Sequence, residues 1–512
     1  MRQRPVRVPG PWSRGARTGA RRALVALLAA ALLAGAPPGL APARAQGASE
    51  LPRLGSAGGD ELTPAAERRL GETVMRDLRR AGAMLADPEL TDWLGGFGAA
   101  LAGTAPAAGL DLQFFLVDDE SINAFALPGG FIGVHAGLIV AAQSESQLAS
   151  VLSHEIGHVA QRHIARMLSA QRKGSMMALA GLVLGALAAR GGGANAAVGV
   201  ATLGASVAQQ QMLAFSRDAE READRVGLEI LQQADYDPNG MVEFFGRLQQ
   251  GSRIQESNAP AYLRTHPLTS ERIADMQARI RDLRYRQRTD RLDFRLARAK
   301  LRALQDTGVD ALAGARSHFA QLQAAGSAQD PVPWFGLAVA AGAQRDFAGA
   351  ERALAEARRR LPAGHPFLER LGIELRAQAG DAPGALRLGQ AARARFPNSR
   401  AIAQQYARAL LASGDARGAA AFLRDQLTVW RSDDAMWSLL AEAHSALGEE
   451  ALAHRAAAEG FVLAGAVPAA VEQLQLAQRA GGVDFITAST IDARLRELRQ
   501  VAADERRDQP GR

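Results

Sequence analysis

A short turn that returns at an almost constant interval leaves this chain few folds to choose from. Gly380-Asp381-x-x-Gly384-Ala385 recurs 34 residues later as Gly414-Asp415-x-x-Gly418-Ala419, and again as Gly448-Glu449-x-x-Leu452-Ala453. An imperfect earlier copy, Arg345-Asp346-x-x-Gly349-Ala350, stands 35 residues before the first. Helical segments rich in alanine lie between the turns. A period of this length predicts two-helix units that bury their apolar faces only by stacking on one another. Small alanines at the contacts let the paired helices approach, and Pro362 and Phe396-Pro397 fall where units should close.

The pattern resembles tetratricopeptide repeats, which build a solenoid with a concave face for peptides or proteins and seldom carry chemistry. The alternative is a helical bundle with coincidental turns. The repeat domain is placed at 311–480, with a polar tail, expected to be frayed, at 481–512. Before the repeats, Glu271 to Asp306 contains no Gly or Pro and reads as one long charge-laced helical stretch joining two domains. Its end, 291–310, is taken as the bridge proper.

Composition decides what the net charge means. The chain has 512 residues, a formal charge of +7 and no cysteine, with 47% apolar and 22% charged residues. It is globular and long enough for several domains. Without cysteine, disulfides, thiolate zinc sites, iron–sulfur clusters and cysteine nucleophiles are excluded. Residues 1–45 hold eight arginines and no acid, so everything from Gln46 onward carries −1. A nucleic-acid partner therefore loses its electrostatic support. Arg21-Arg22, the apolar run Ala23–Ala36 and Ala43-Arg44-Ala45 form a basic, apolar and small-x-small series. That series predicts a cleaved signal peptide over 1–45 and export to the periplasm. The apolar run is too short for a spanning helix, which needs roughly 20 residues. Residues 46–60, rich in Gly and Ser, read as a flexible start.

The chemistry lies between these regions, in a domain placed at 61–290. Glu61 to Thr104 is helical in pattern, with Asp87-Pro88 opening a second helix. Gln113–Val117 and Phe131–Val134 read as strands separated by the Pro128-Gly129-Gly130 turn. Then comes His154-Glu155-Ile156-Gly157-His158. Four residues apart on a helix, His154 and His158 share a face and can present ring nitrogens to one metal ion, with Glu155 beside a water held there. Apolar neighbours Val151-Leu152 and Val159-Ala160 bury this helix, where unpaired polar groups are costly. A catalytic zinc needs a third protein ligand and an open position. Glu220 and Asp224, one turn apart, suit that ligand and an orienting partner for a histidine, respectively. Zinc itself is an expectation, since His/His/Glu sites accept other divalent ions.

With Asn123-Ala124-Phe125-Ala126-Leu127-Pro128-Gly129-Gly130 upstream, these motifs resemble the HtpX/CAAX-prenyl-protease family of zinc metallopeptidases. A signal peptide and carboxy-terminal repeats narrow the likeness to its periplasmic β-barrel assembly-enhancing group. The resemblance implies a mainly α fold with a small β-sheet: a gluzincin-type domain followed by a tetratricopeptide α-solenoid. It implies one Zn2+ held by His154, His158 and Glu220, with Glu155 as general base. Thr265-His266-Pro267 resembles the histidine that approaches the metal in a latent state. It also implies an endopeptidase for misfolded or stalled envelope proteins, with the barrel-assembly machinery as a partner. The rival is a repeat-based chaperone whose metal domain is regulatory.

Substrate is expected to lie along Phe131, Ile132, Gly133 and Val134, adding a strand to an exposed edge. His163, five residues past His158, falls off the ligand face and is read as structural; His135 receives no role. The histidines beyond residue 300 lie in the repeats, and none is expected to bind metal. Residues 176–208 form two small apolar limbs around Gly191-Gly192-Gly193, expected to cover the site or touch a membrane surface. A membrane-inserted hairpin is the alternative.

Overall fold

The computed structural model describes residues 62–104, 106–170, 216–254, 260–283, 286, 288–305 and 308–507. The expected signal peptide, the Gly/Ser start and the apolar limbs at 176–208 lie outside them. Among the described residues, no helix is long and apolar enough to cross a membrane.

Two helices, α1 (Pro64–Arg80) and α2 (Pro88–Ala102), precede the sheet. Each opens with Pro in its first turn behind a capping side chain: Thr63 accepts from the Ala66 amide, and Asp87 from that of Leu90. Three strands follow, β1 (Gln113–Val117), β2 (Ala124–Leu127) and β3 (Phe131–His135). Their order is β1-β3-β2: β3 runs parallel to β1 and antiparallel to β2. This corrects one expectation. Phe131–Val134 is the central strand, hydrogen-bonded on both sides and wholly buried, so no substrate strand can add to it. Both its neighbours come from earlier in the chain, and β2 takes one edge of the sheet.

After the sheet come α3 (Ala136–Ala141), α4 (Glu145–Ala160), α5 (His163–Ala170), α6 (Arg217–Gln233), α7 (Asn239–Ile254), the single turn α8 (Ala261–Thr265) and α9 (Ser270–Arg281). The expected long helix from 271 to 306 is broken. α9 caps at Asp282, and α10 (Leu292–Leu304) starts anew behind Arg291. Arg286, Arg288 and Arg291 in the interval bind Asp235, backbone carbonyls of α6's end and Glu145. These ties fasten the interval against the peptidase core. α10 is also no free bridge: Phe294, Leu296, Ala297 and Leu301 are buried in a continuous apolar core that runs from Leu90 to Leu375.

Antiparallel pairs continue as α11 (Val309–Ala325), α12 (Val332–Ala343), α13 (Phe347–Arg360), α14 (Pro366–Gln378), α15 (Ala382–Arg395), α16 (Arg400–Ala412), α17 (Ala416–Val429), α18 (Asp434–Ala446), α19 (Glu450–Leu463), α20 (Val467–Ala480) and α21 (Phe485–Arg507). The repeated turn has a local cause. Gly380 and Gly414 both sit at φ +86, where a side chain would be strained. Asp381 and Asp415 then cap the next helix by accepting from the Gly384 and Gly418 amides at 2.9 and 2.8 Å. In the imperfect copy Arg345 adopts φ 64 in place of glycine, and Asp346 still caps. The expected polar tail is instead mostly helix. Ile491, Leu495, Leu498 and Ala502 of α21 pack on Leu474 and Ala477 of α20. The bridge helix and the repeat arm both touch the peptidase region: Lys300 of α10 pairs with Asp87 and Glu89, and Arg80 donates to the Gly465 carbonyl at 2.8 Å.

Candidate metal centre

Two helices in near backbone contact build the site. Ser144 caps α4 by accepting from Gln147, and Ser216 caps α6 by accepting from Ala219. At their crossing a Cβ on Gly157 would meet the Ala223 carbonyl at 2.8 Å, and one on Gly227 the His154 amide at 3.0 Å. Glycine at both positions lets the helices close until the acidic face of α6 reaches the histidines of α4. His154, Glu155 and His158 are 0% exposed, Glu220 and Asp224 1%.

His154, His158, Glu220 and His266 each offer one ligand atom, all within 4.8 Å of one another. His154 Nε2 lies 3.0 Å from His158 Nε2 and 3.5 Å from Glu220 Oε2. Glu220 Oε1 is 3.4 Å from His158 Nε2 and 3.1 Å from His266 Nδ1. His266 also reaches Glu155, with Nε2 3.4 Å from Oε1. Asp224 Oδ1 takes His154 Nδ1 at 2.9 Å, as the one-turn spacing from Glu220 suggested. The structure therefore brings together every expected catalytic, ligand and orienting residue, and leaves out only the strand residues 131–134.

The donor set fits a divalent cation. An ionised Asp224 only accepts hydrogen bonds, so the proton of a neutral His154 belongs on Nδ1. Its Nε2 lone pair then points toward a second imidazole and a carboxylate, three donors converging as a divalent cation requires. Burial alone would raise Glu220, but His266, His154 and His158 around it hold its carboxyl well below the usual range. Burial pushes Glu155 up instead, against weaker opposition from His266 and His154. Both Glu155 oxygens are buried without a side-chain hydrogen bond, and the Ala126 amide of β2 is directed toward them. Burial likewise depresses His158 well below the histidine range.

Three contributors escaped the sequence reading. Arg272 of α9 grips Asp224 through Nε and Nη2 at 2.7 and 2.8 Å and reaches Glu220 at 2.7 Å through Nη1. Tyr262 stacks on His266 with ring centroids 4.6 Å apart. His163 is not remote, since its Nδ1 lies 2.8 Å from His158 Nδ1. Arg162, at φ 51, ends the helical path and turns the chain back, so the position of His163 is not that of one continuous helix. His135 is buried against Ser121 and Asp119, 2.9 and 3.5 Å away, and so anchors the end of β3. None of His318, His365, His444 and His454 joins a metal-competent group among the described residues.

Comparison with known proteins decides the family. Residues 90–280 match the model of peptidase family M48. The β-barrel assembly-enhancing protease of Escherichia coli (strain K12) is 31% identical over 484 residues, 94% of this chain and 97% of the relative. The chain belongs to peptidase family M48. Within that family it is similar to the β-barrel assembly-enhancing proteases. The one from Yersinia pestis is 34% identical over 262 residues, 51% of this chain and 53% of that protein. A shorter stretch is similar to the mitochondrial metalloendopeptidase OMA1 of Schizosaccharomyces pombe. It is 31% identical over 168 residues, 33% of this chain and 46% of the other. The chain is thus a metalloprotease, and the cluster from His154 to Arg272 lies wholly inside the span matched to M48.

Proposed function

We propose that this metalloprotease is a periplasmic zinc endopeptidase that degrades misfolded or stalled envelope proteins, outer-membrane β-barrel precursors among them. Its repeat arm binds substrate or the barrel-assembly machinery. One observation carries the enzymatic part: two imidazoles and a carboxylate from crossing helices converge, with Glu155 next to them. The leader's charge pattern supports export. The names of the similar proteases support the link to barrel assembly.

His154, His158 and Glu220 would hold the ion. When bound there, zinc polarises the scissile carbonyl and lowers the pKa of a water toward about 7. Glu155 accepts that water's proton and returns it to the leaving amine, a role favoured by a carboxyl raised toward the working pH. Asp224, braced by Arg272, keeps His154 in the tautomer that leaves Nε2 free. Substrate backbone pairs with β2, not with β3. Ala124–Leu127 has a strand on one side only among the described residues, and its Ala126 amide faces Glu155. His266 stands where substrate must arrive, so the arrangement is a latent one that opens when His266 withdraws.

The test compares wild type, Glu155→Gln and His266→Ala at equal zinc content on an unfolded protein substrate. Glu155→Gln should lose about 10²–10⁴-fold in rate, and His266→Ala should cleave faster than wild type. Equal and measurable rates for wild type and Glu155→Gln would overturn the mechanism. No cleavage by any form, with aggregation of the substrate still suppressed, would favour the chaperone reading.

A further inference from the structure

His163 and Glu222 have no part in the chemistry above, yet they adjoin it. His163 is buried at the start of α5, with Nδ1 2.8 Å from His158 Nδ1 and Nε2 3.0 Å from Glu222 Oε2. Arg166 Nη2 holds the same Glu222 oxygen at 2.7 Å. We propose that His163, itself oriented by Glu222, is the positioning residue for His158, as Asp224 is for His154. The proposal rests on the ligand set just given.

Hydrogen accounting supports it. Two facing Nδ1 atoms can share only one proton. Glu222, salt-bridged to Arg166, is an acceptor, so a neutral His163 carries its hydrogen on Nε2 and leaves Nδ1 as a lone pair. That lone pair asks His158 for an Nδ1–H donor, which strips the hydrogen from His158 Nε2, the atom aimed at His154 Nε2 and Glu220. The reverse tautomers would put a hydrogen in the place of the metal and a lone pair against the Glu222 carboxylate. One chain of two imidazoles and one carboxylate thus selects the ligating form of His158. The three carboxylates of Glu220-Arg221-Glu222-Ala223-Asp224 then serve one centre: Glu220 directly, Asp224 through His154, and Glu222 through His163.

The experiment measures zinc affinity of the full chain by chelator competition and the visible spectrum of the cobalt-substituted protein. It uses wild type, His163→Leu, His163→Gln and His158→Ala. His163→Leu should weaken zinc binding by about 10–100-fold and shift the cobalt bands. The melting temperature of its metal-free form should match that of metal-free wild type. His163→Gln, whose amide oxygen can accept from His158, should recover most of the affinity. Wild-type affinity in His163→Leu overturns the proposal. So does equal weakening in His163→Leu and His163→Gln with a lowered metal-free melting temperature, which would mark a packing role. Retention of zinc by His158→Ala would overturn the ligand reading itself.

Discussion

Two clusters of buried charge among the described residues are completed differently. At the junction of the peptidase region with the repeat arm, Lys300 Nζ sits 2.7 Å from Asp87 Oδ2 and 2.6 Å from Glu89 Oε2. Arg370, close by, pairs with Glu374 at 3.1 Å. The chain supplies its own cations there. In the centre between α4 and α6, three buried carboxylates, Glu155, Glu220 and Asp224, have one buried guanidinium, Arg272. The excess of carboxylate there is what a divalent ion would offset. Cost is similar in kind at both sites, since charges out of water must be paired. What differs is the source of the partner: sequence-distant lysine at the junction, solution at the metal centre.

Lys300→Met tests that difference most heavily. It strands Asp87 and Glu89, and should cost about 3–5 kcal/mol of stability, read as a lowered unfolding midpoint. Zinc affinity of the folded protein should stay as in wild type. A parallel loss of zinc affinity would show the two clusters to be one system. Acid offers a finer probe of the junction. Burial opposes ionisation of Asp87, but Lys300 and Arg370 hold its pKa at about 2, down from 3.8. A depressed folded-state pKa stabilises above the unfolded value and is lost as pH falls through the folded one. The stability gap between wild type and Asp87→Asn, roughly 2 kcal/mol, should be full at pH 5 and close between about pH 4 and 2. A gap that does not change with pH over this range would refute the ionised pairing. Asn keeps the cap on Leu90, so the comparison isolates the charge. The smallest effect belongs to the repeats. Asp415→Ala removes one cap and should cost about 1 kcal/mol, leaving zinc binding and cleavage by the folded enzyme unchanged.

How far these features could be read in advance follows from the range of the interactions behind them. The repeat turns are local: a left-handed glycine, then an aspartate that accepts from the amide three residues on, so Gly380-Asp381 and Gly414-Asp415 declare themselves. His154/His158 and Glu220/Asp224 are each one helical turn apart and were legible for the same reason. Arg272 was not. In a charge-laced stretch it reads as a solvated side chain, and only the packing of α9 against α6 buries it on Asp224. His163 lies outside the ligand set as read, and its contact with His158 is hidden because Arg162 turns the chain back. The strand order is hidden for the same reason as the burial of Arg272. Which of β1, β2 and β3 is central depends on pairing across the chain, not on any of the three sequences. α21 is a different case. Ile491, Leu495, Leu498 and Ala502 carry a helical stripe, outweighed in the sequence by the charges around them.

Metal stoichiometry measures the contrast between the two clusters most directly. Purified chain dialysed against zinc should hold one ion per molecule and melt at a higher temperature than its metal-free form. His154→Ala should bind none at the same free zinc concentration, and Lys300→Met should still bind one. Zinc retained by His154→Ala, or none bound by the wild type, would contradict the assignment of the α4–α6 crossing as the metal centre.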